Sequence, residues 1–423
     1  MTSEVLILNK RAVVIGADSA ATTSSGVDHP RYSKSANKIF ELTRNGSMAA
    51  AIFGNASIDA VPWELAIKLF RSHLGTRTFG RTIEYAAAIA SFLTANDRLF
   101  SRSFREQQVT EQFDAAIWEV ARLAGNGDAT LLDTALPLDV RRSAWDRQVE
   151  RIRALLNAKG VVAPLTEEAL NRVLGELEPW AQRARVQTKE SAKLQTMDGD
   201  DLAELAHRLR YAMPEALLPR SGLVVAGYGD DQIFPSYVQL DMFGHVGDEL
   251  FYRLKNSEEV TQDGGAMIRA LAKTSMIDVF TTGFDRAGEN DLARQSQSAF
   301  AKVFERLQQA GFDIPVALVD AIADACQRDF MTKWRALSLQ NNLFPLLGVL
   351  QSMGVKEMAH LAESLLELES LKERVTSSSE TVGGPIDIAV ITKDEGLVWI
   401  RRKHYFAPDL NMRYVARLHQ SLA

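Results

Sequence analysis

A chain that begins Met1-Thr2-Ser3-Glu4 offers one residue able to combine nucleophile and base. Thr2 is small, so removal of Met1 is expected, and it would leave the Thr2 hydroxyl beside a free α-amino group. Such an amine titrates near ~7.7 to 8.0, so at neutral pH a useful fraction is uncharged and takes the hydroxyl proton. A lysine ammonium nearby would lower that amine further, and a carboxylate would hold the lysine in place. The common alternatives lack their local signatures. There is no G-x-S-x-G elbow, and the seven histidines stand singly, without H-x-x-x-H spacing. Gly227 and Gly229 form a lone G-x-G in a hairpin turn, with no helix behind it to receive a phosphate. Neither a metal nor a cofactor is expected.

The elements that would position Thr2 are strands at the beginning, middle and end of the chain. Val5 to Leu8 and Ala12 to Ala17 are apolar runs about a polar turn, which predicts a hairpin. Met48 to Phe53 is a strand ending in Gly54-Asn55, followed by Ser57 as the expected N-cap of a helix carrying Val61, Leu65 and Leu69. A second helix is expected from Thr82 to about Phe100. Residues 101–220 read as charged, helix-periodic sequence without strands, with Trp145, Val149, Ile152 and Leu156 on one face. Residues 223–244 form a second hairpin around Gly229, Asp230 and Asp231. Residues 265–375 read mainly as helix, and the last β unit pairs 386–391 with 397–402. A sheet assembled from such distant pieces predicts an α+β domain.

Composition narrows the function classes. The chain has 423 residues, 46% hydrophobic and 24% charged, as folded proteins are. Its 54 acidic and 48 basic side chains give a net charge of −6, so neither nucleic acid nor a membrane surface is an expected partner. The single Cys326 excludes an internal disulfide and fits a reducing compartment. No apolar run reaches the ~18 to 20 residues of a membrane span, and no secretory signal is visible. A cytoplasmic location is the expectation.

Several motifs, in order, resemble the proteasome β-type branch of the N-terminal nucleophile hydrolases, including bacterial proteasome homologues that lack a propeptide. ADSAAT at 17–22 places Asp18 sixteen residues after Thr2, as that family places its aspartate. SANKIFEL at 35–42 resembles the lysine-bearing strand and nominates Lys38, with Lys34 as the alternative. AAAIFGNAS at 49–57 resembles the strand and turn that supply an oxyanion N–H, nominating Gly54. VGGPIDIAVI at 382–391 resembles the glycine pair and late strand. The resemblance implies a four-layer αββα sandwich in which Thr2, Asp18, Lys38 and Gly54 form the catalytic set. The core would comprise 2–100 and 221–423, with a helical insertion at 101–220 and additional helices at about 288–375. It covers less than half of the chain. Ala20 stands where many members have arginine. The family's late serine and aspartate are unmatched, and Ser379, Glu380 and Thr381 are the supporting candidates there.

The implied activity is hydrolysis of an amide bond, in a peptide or in a small amide, by a homo-oligomeric enzyme. A catalytically silent scaffold, with the insertion binding a protein partner, is the alternative from another class.

Overall fold

The computed structural model describes residues 3–23, 31–160, 177–246, 248–272, 274–312, 315–376 and 383–404, together with 406–407, 410–413 and 416. Fourteen strands appear among them. These are β1 (Ser3–Asn9), β2 (Val13–Ala17), β3 (Ala21–Thr23), β4 (Arg31–Ser33), β5 (Ile39–Glu41), β6 (Met48–Gly54), β7 (Ser57–Ile58), β8 (Val61–Pro62), β9 (Ser221–Gly227), β10 (Ser236–Val246), β11 (Glu249–Glu259), β12 (Ala266–Ala272), β13 (Asp387–Thr392) and β14 (Gly396–Arg401). One five-stranded sheet runs β12-β1-β2-β13-β14 and the other β11-β10-β9-β6-β5, beside the small ladders β3-β4 and β7-β8. Every pairing is antiparallel. The chain is therefore α+β.

The period-2 alternation of the strands decides what each sheet face meets. Leu6, Leu8, Val13 and Ile15 of the first sheet share an apolar cluster with Ala49, Ala51, Val224 and Ala226 of the second. Their strand neighbours Val5, Ile7 and Val14 instead pack with Ile388, Val390 and the helices α10 (Leu343–Leu350) and α11 (Val355–Thr376), through Leu350, Met358, Ala362 and Leu366. Gly16 makes this approach possible, because a Cβ there would lie 2.8 Å from Leu366 Cδ1. On the second sheet, Ala50, Ile52, Leu223 and Val225 meet Trp63, Ile67 and Phe70 of α1 (Trp63–Leu74) and Tyr85, Ile89 and Leu93 of α2 (Thr82–Thr94).

Between β8 and β9 the described residues hold α3 (Arg102–Gly127), α4 (Leu138–Lys159), α5 (Glu178–Glu190) and α6 (Gly199–Ala212) after α1 and α2. These four have a core of their own, in which Phe113, Ile117, Trp145, Ile152, Leu202 and Leu209 meet. Ser101 caps α3 by accepting from the Phe104 N–H at 3.3 Å, and Asp198 caps α6 by accepting from Asp200 and Asp201. The remaining helices are α7 (Ser275–Thr282), α8 (Arg286–Gln309) and α9 (Val316–Asn341). No described helix is long and apolar enough to cross a membrane.

Three expectations need correction. Ser57 lies in β7, and α1 starts at Trp63 behind Pro62, because the β7–β8 turn, with positive φ at Asp59 and Ala60, uses up the intervening residues. The face of α1 shifts accordingly, burying Ala66, Ile67 and Phe70 and leaving Leu65 and Leu69 exposed. The helix from Thr82 ends at Thr94 rather than near Phe100. Residues 266–272, AMIRALA, are a strand despite helix-favouring composition; the β1 edge recruits them, pairing Ser3 to Asn9 with Ala272 to Ala266.

Candidate active site

Asp18 directly follows β2, and the β1–β2 ladder brings it back beside Ser3 at the start of β1. The Asp18 N–H donates to the Ser3 carbonyl at 3.1 Å, and the Ser3 N–H donates to Asp18 Oδ1 at 2.9 Å. Lys38 comes from the other sheet, one residue before β5, where its carbonyl accepts from the Ile52 N–H of β6 at 3.0 Å. Its ammonium crosses to Asp18 Oδ1 at 2.5 Å. Asp18 Oδ2 accepts from the Gly383 N–H at 2.8 Å and the Ala20 N–H at 3.4 Å. One carboxylate thus ties the first strand, the second sheet and the approach to the last strands.

The pair is nearly sealed from solvent, with side-chain exposures of 4% for Lys38 and 1% for Asp18. Burying two charges costs several kcal/mol per ion, roughly, and is sustainable where the remaining lone pairs are satisfied. Three backbone N–H groups do this for Asp18. Burial pushes the Lys38 ammonium down from its ordinary range, opposed by the charges of Asp18 and Glu4, with Lys403 adding to the depression. Lys403 is itself held by Asp387 through both its backbone N–H, at 2.8 Å, and its ammonium. Asp387 lies opposite Ala17, so a second, partly buried ion pair flanks the first.

Glu4 escaped the sequence reading. It is fully buried, and among the described residues neither carboxyl oxygen has a hydrogen-bond partner. Burial pushes its carboxyl well above the usual carboxylate range; Lys38 opposes this and Asp18 adds to it. The signal was available: a lone acid in SEVLILN, with the parity of Leu6 and Leu8, belongs on the face between the sheets.

Gly54 is the last residue of β6, exposed, opposite Ser221 and two residues beyond the contact of Ile52 with Lys38. Its φ of +80° suits glycine, and a Cβ would lie 2.7 Å from the Arg220 carbonyl oxygen. Thr2, Ser379, Glu380 and Thr381 lie outside the described residues. Lys34, the alternative lysine, has its Cβ against Gly384, 3.1 Å from where a Cβ would stand there.

A histidine without a motif also has a partner: His245 Nδ1 lies 2.7 Å from Asp59 Oδ2, and the Asp59 carboxylate accepts from the His245 backbone N–H at 2.9 Å. Phe100 lies against the imidazole at 4.6 Å, and among the described residues Nε2 meets no hydroxyl, so this is no Ser-His-Asp relay. Among the described residues no three His, Cys, Asp or Glu side chains converge as metal ligands.

Chemically, the assembled set offers a buried lysine on a fully engaged carboxylate, a buried acid without a hydrogen-bond partner beside it, and a glycine turn at the edge. No protein-family model matches this chain, and no curated protein matches it. Among solved structures, a Gly-1 mutant of Anbu from Hyphomicrobium sp. strain MC1 aligns with 100% of this chain and 96% of its own at 11% identity, with a TM-score of 0.31, too loose a superposition to carry an argument.

Proposed function

We propose that this chain is an N-terminal-threonine hydrolase of amide bonds, peptides first, built on a four-layer αββα sandwich. The layering reading is supported by the succession of apolar clusters, from α1 and α2 through the two sheets to α10 and α11. The observation that carries the chemistry is the Asp18 carboxylate, which engages the Ser3 N–H and the Lys38 ammonium together. Ser3 is the covalent neighbour of Thr2.

In this reading Met1 is removed and the Thr2 hydroxyl attacks the substrate carbonyl while its own amine takes the proton. The amine then passes that proton to the leaving nitrogen, and the C–N bond breaks to leave an ester on Thr2. Water, deprotonated by the same amine, hydrolyses the ester. Lys38 lowers the electrostatic cost of the alkoxide, Asp18 positions Lys38, and the Gly54 N–H receives the oxyanion. General-base help contributes about 10² to 10⁴ in rate, and an oxyanion donor about 10² to 10³.

Intact mass and a threonine-directed electrophile test the proposal together. The expected result is a chain lacking Met1, labelled at Thr2, with labelling abolished in Thr2→Ala and reduced in Lys38→Ala. Retained Met1 or an acetylated Thr2 amine would refute it. The scaffold reading draws on the family's late serine and aspartate, which are unmatched in this chain; a trimmed but unreactive Thr2 would favour it.

A further inference from the structure

The α8–α9 hairpin stands apart from the apolar cores. None of the four apolar clusters contains a residue of either helix. No α8 residue is buried, and among the described side chains of α9 only Ala323 and Met331 are. Polar contacts join the two helices, Gln297 Nε2 donating to Asp324 Oδ1 at 3.2 Å and Arg335 pairing with Glu289. The base of the hairpin is fixed to α7 and its flank by Phe284 stacked on Trp334 at 4.4 Å and by Ser338 donating to the Thr282 carbonyl. Helix stability in water comes mostly from packing an apolar face. The apolar face of α9 points outward.

That face carries an exposed apolar stripe. With ~100° per residue, Leu318, Ile322, Cys326, Phe330 and Leu337 fall within an arc of about 120°. All five are exposed, Leu337 at 56%. Asp329 and Lys333 lie in the same arc, joined at 2.7 Å across one turn. We propose that this face is covered by the same face of a second copy of this chain, the two α9 helices running antiparallel about a two-fold axis level with Met331, so that the two hairpins form one four-helix layer with the α9 helices at its centre.

The register follows from the residues themselves. An axis at Met331 sets Lys333 of each copy against Asp329 of the other, so that the two local pairs become two cross-pairs. It brings the two Phe330 rings together at the axis. It also sets large against small: Leu337 falls level with Ala325 at the margin of the arc and Cys326 level with Ala336, and all four are exposed in the single chain. A helix of 26 residues gives about 39 Å of contact length. No catalytic residue takes part, so the inference stands apart from the hydrolase proposal.

Sedimentation or light scattering of the full chain at about 50 µM, well above a micromolar Kd, tests it. The expected mass is twice 46.8 kDa or an even multiple of it. Phe330→Glu and, separately, Ala325→Glu, at an exposed alanine outside every core cluster, should halve the number of copies with unchanged circular dichroism. Cys326 supplies a distance. Its two copies should stand about 15 Å apart along the axis and about 8 to 10 Å across it, roughly 17 Å in all. A bismaleimide of that reach should join two wild-type chains and fail in both glutamate variants and in Cys326→Ser. A monomeric wild type, or folded glutamate variants that keep both mass and crosslink, would overturn the proposal; Thr2→Ala should leave both readings unchanged.

Discussion

Replacing Glu4 by glutamine separates a buried acid from a buried charge. Burial raises the folded-state pKa of Glu4 well above 4.5, its value in an open chain. Above pH 4.5 the unfolded chain releases this proton while the folded chain still holds it. The folded state then binds more protons, and stability falls as pH rises, by up to about 1.4 kcal/mol for each pH unit until the folded pKa is passed. Below pH 4.5 the contribution is fully present. Glu4→Gln keeps the shape and removes the titration. Its unpartnered amide adds a constant offset of about 1 to 3 kcal/mol, independent of pH. Urea unfolding of both proteins from pH 4.5 to 8, followed by the fluorescence of buried Trp63 and Trp145, gives the difference. The glutamine variant should gain on wild type as pH rises. Parallel stability curves across that range would show that Glu4 titrates alike in both states, and the reasoning about its burial would fail.

Asp18→Asn leaves the Lys38 ammonium buried without its carboxylate and should cost about 3 to 5 kcal/mol in urea unfolding, with Asp18→Asn/Lys38→Met recovering most of it; a loss under 1 kcal/mol would contradict a sealed pair. Gly54→Ala combines a positive φ with the Arg220 carbonyl at 2.7 Å and should destabilise by about 1 to 3 kcal/mol, measurable as a lowered Tm; an unchanged Tm would show that the turn relaxes freely. Within α1, Ile67→Ala should cost about 2 to 5 kcal/mol and Leu65→Ala under about 0.5 kcal/mol, and equal losses would mean that the helix buries a different face.

The hairpins β1–β2, β9–β10 and β13–β14 were legible because apolar runs alternate around polar turns, a local signal. Segment 266–272 was not, since Ala, Met, Arg and Leu suit a helix and only the β1 edge makes it a strand. Ser57 misled because a short hydroxyl residue serves a tight turn as well as a cap. Asp18 and Lys38 could be nominated from motif order, yet their 2.5 Å contact between sheets is a tertiary fact. Glu4 was legible in parity and overlooked among its apolar neighbours. The α9 face was hidden too, because an apolar stripe in sequence does not say whether its partner lies in the same chain.

The Asp18 carboxylate receives N–H groups from its near neighbourhood and from Gly383, 365 residues further along the chain. During synthesis the first hairpin leaves the ribosome long before Gly383 does. Until Gly383 and β13 have emerged, the aspartate lacks one of its donors and the central β2 lacks a neighbour. On the hydrolase proposal, a nascent fragment that stops short of Gly383 would carry an incomplete version of the site.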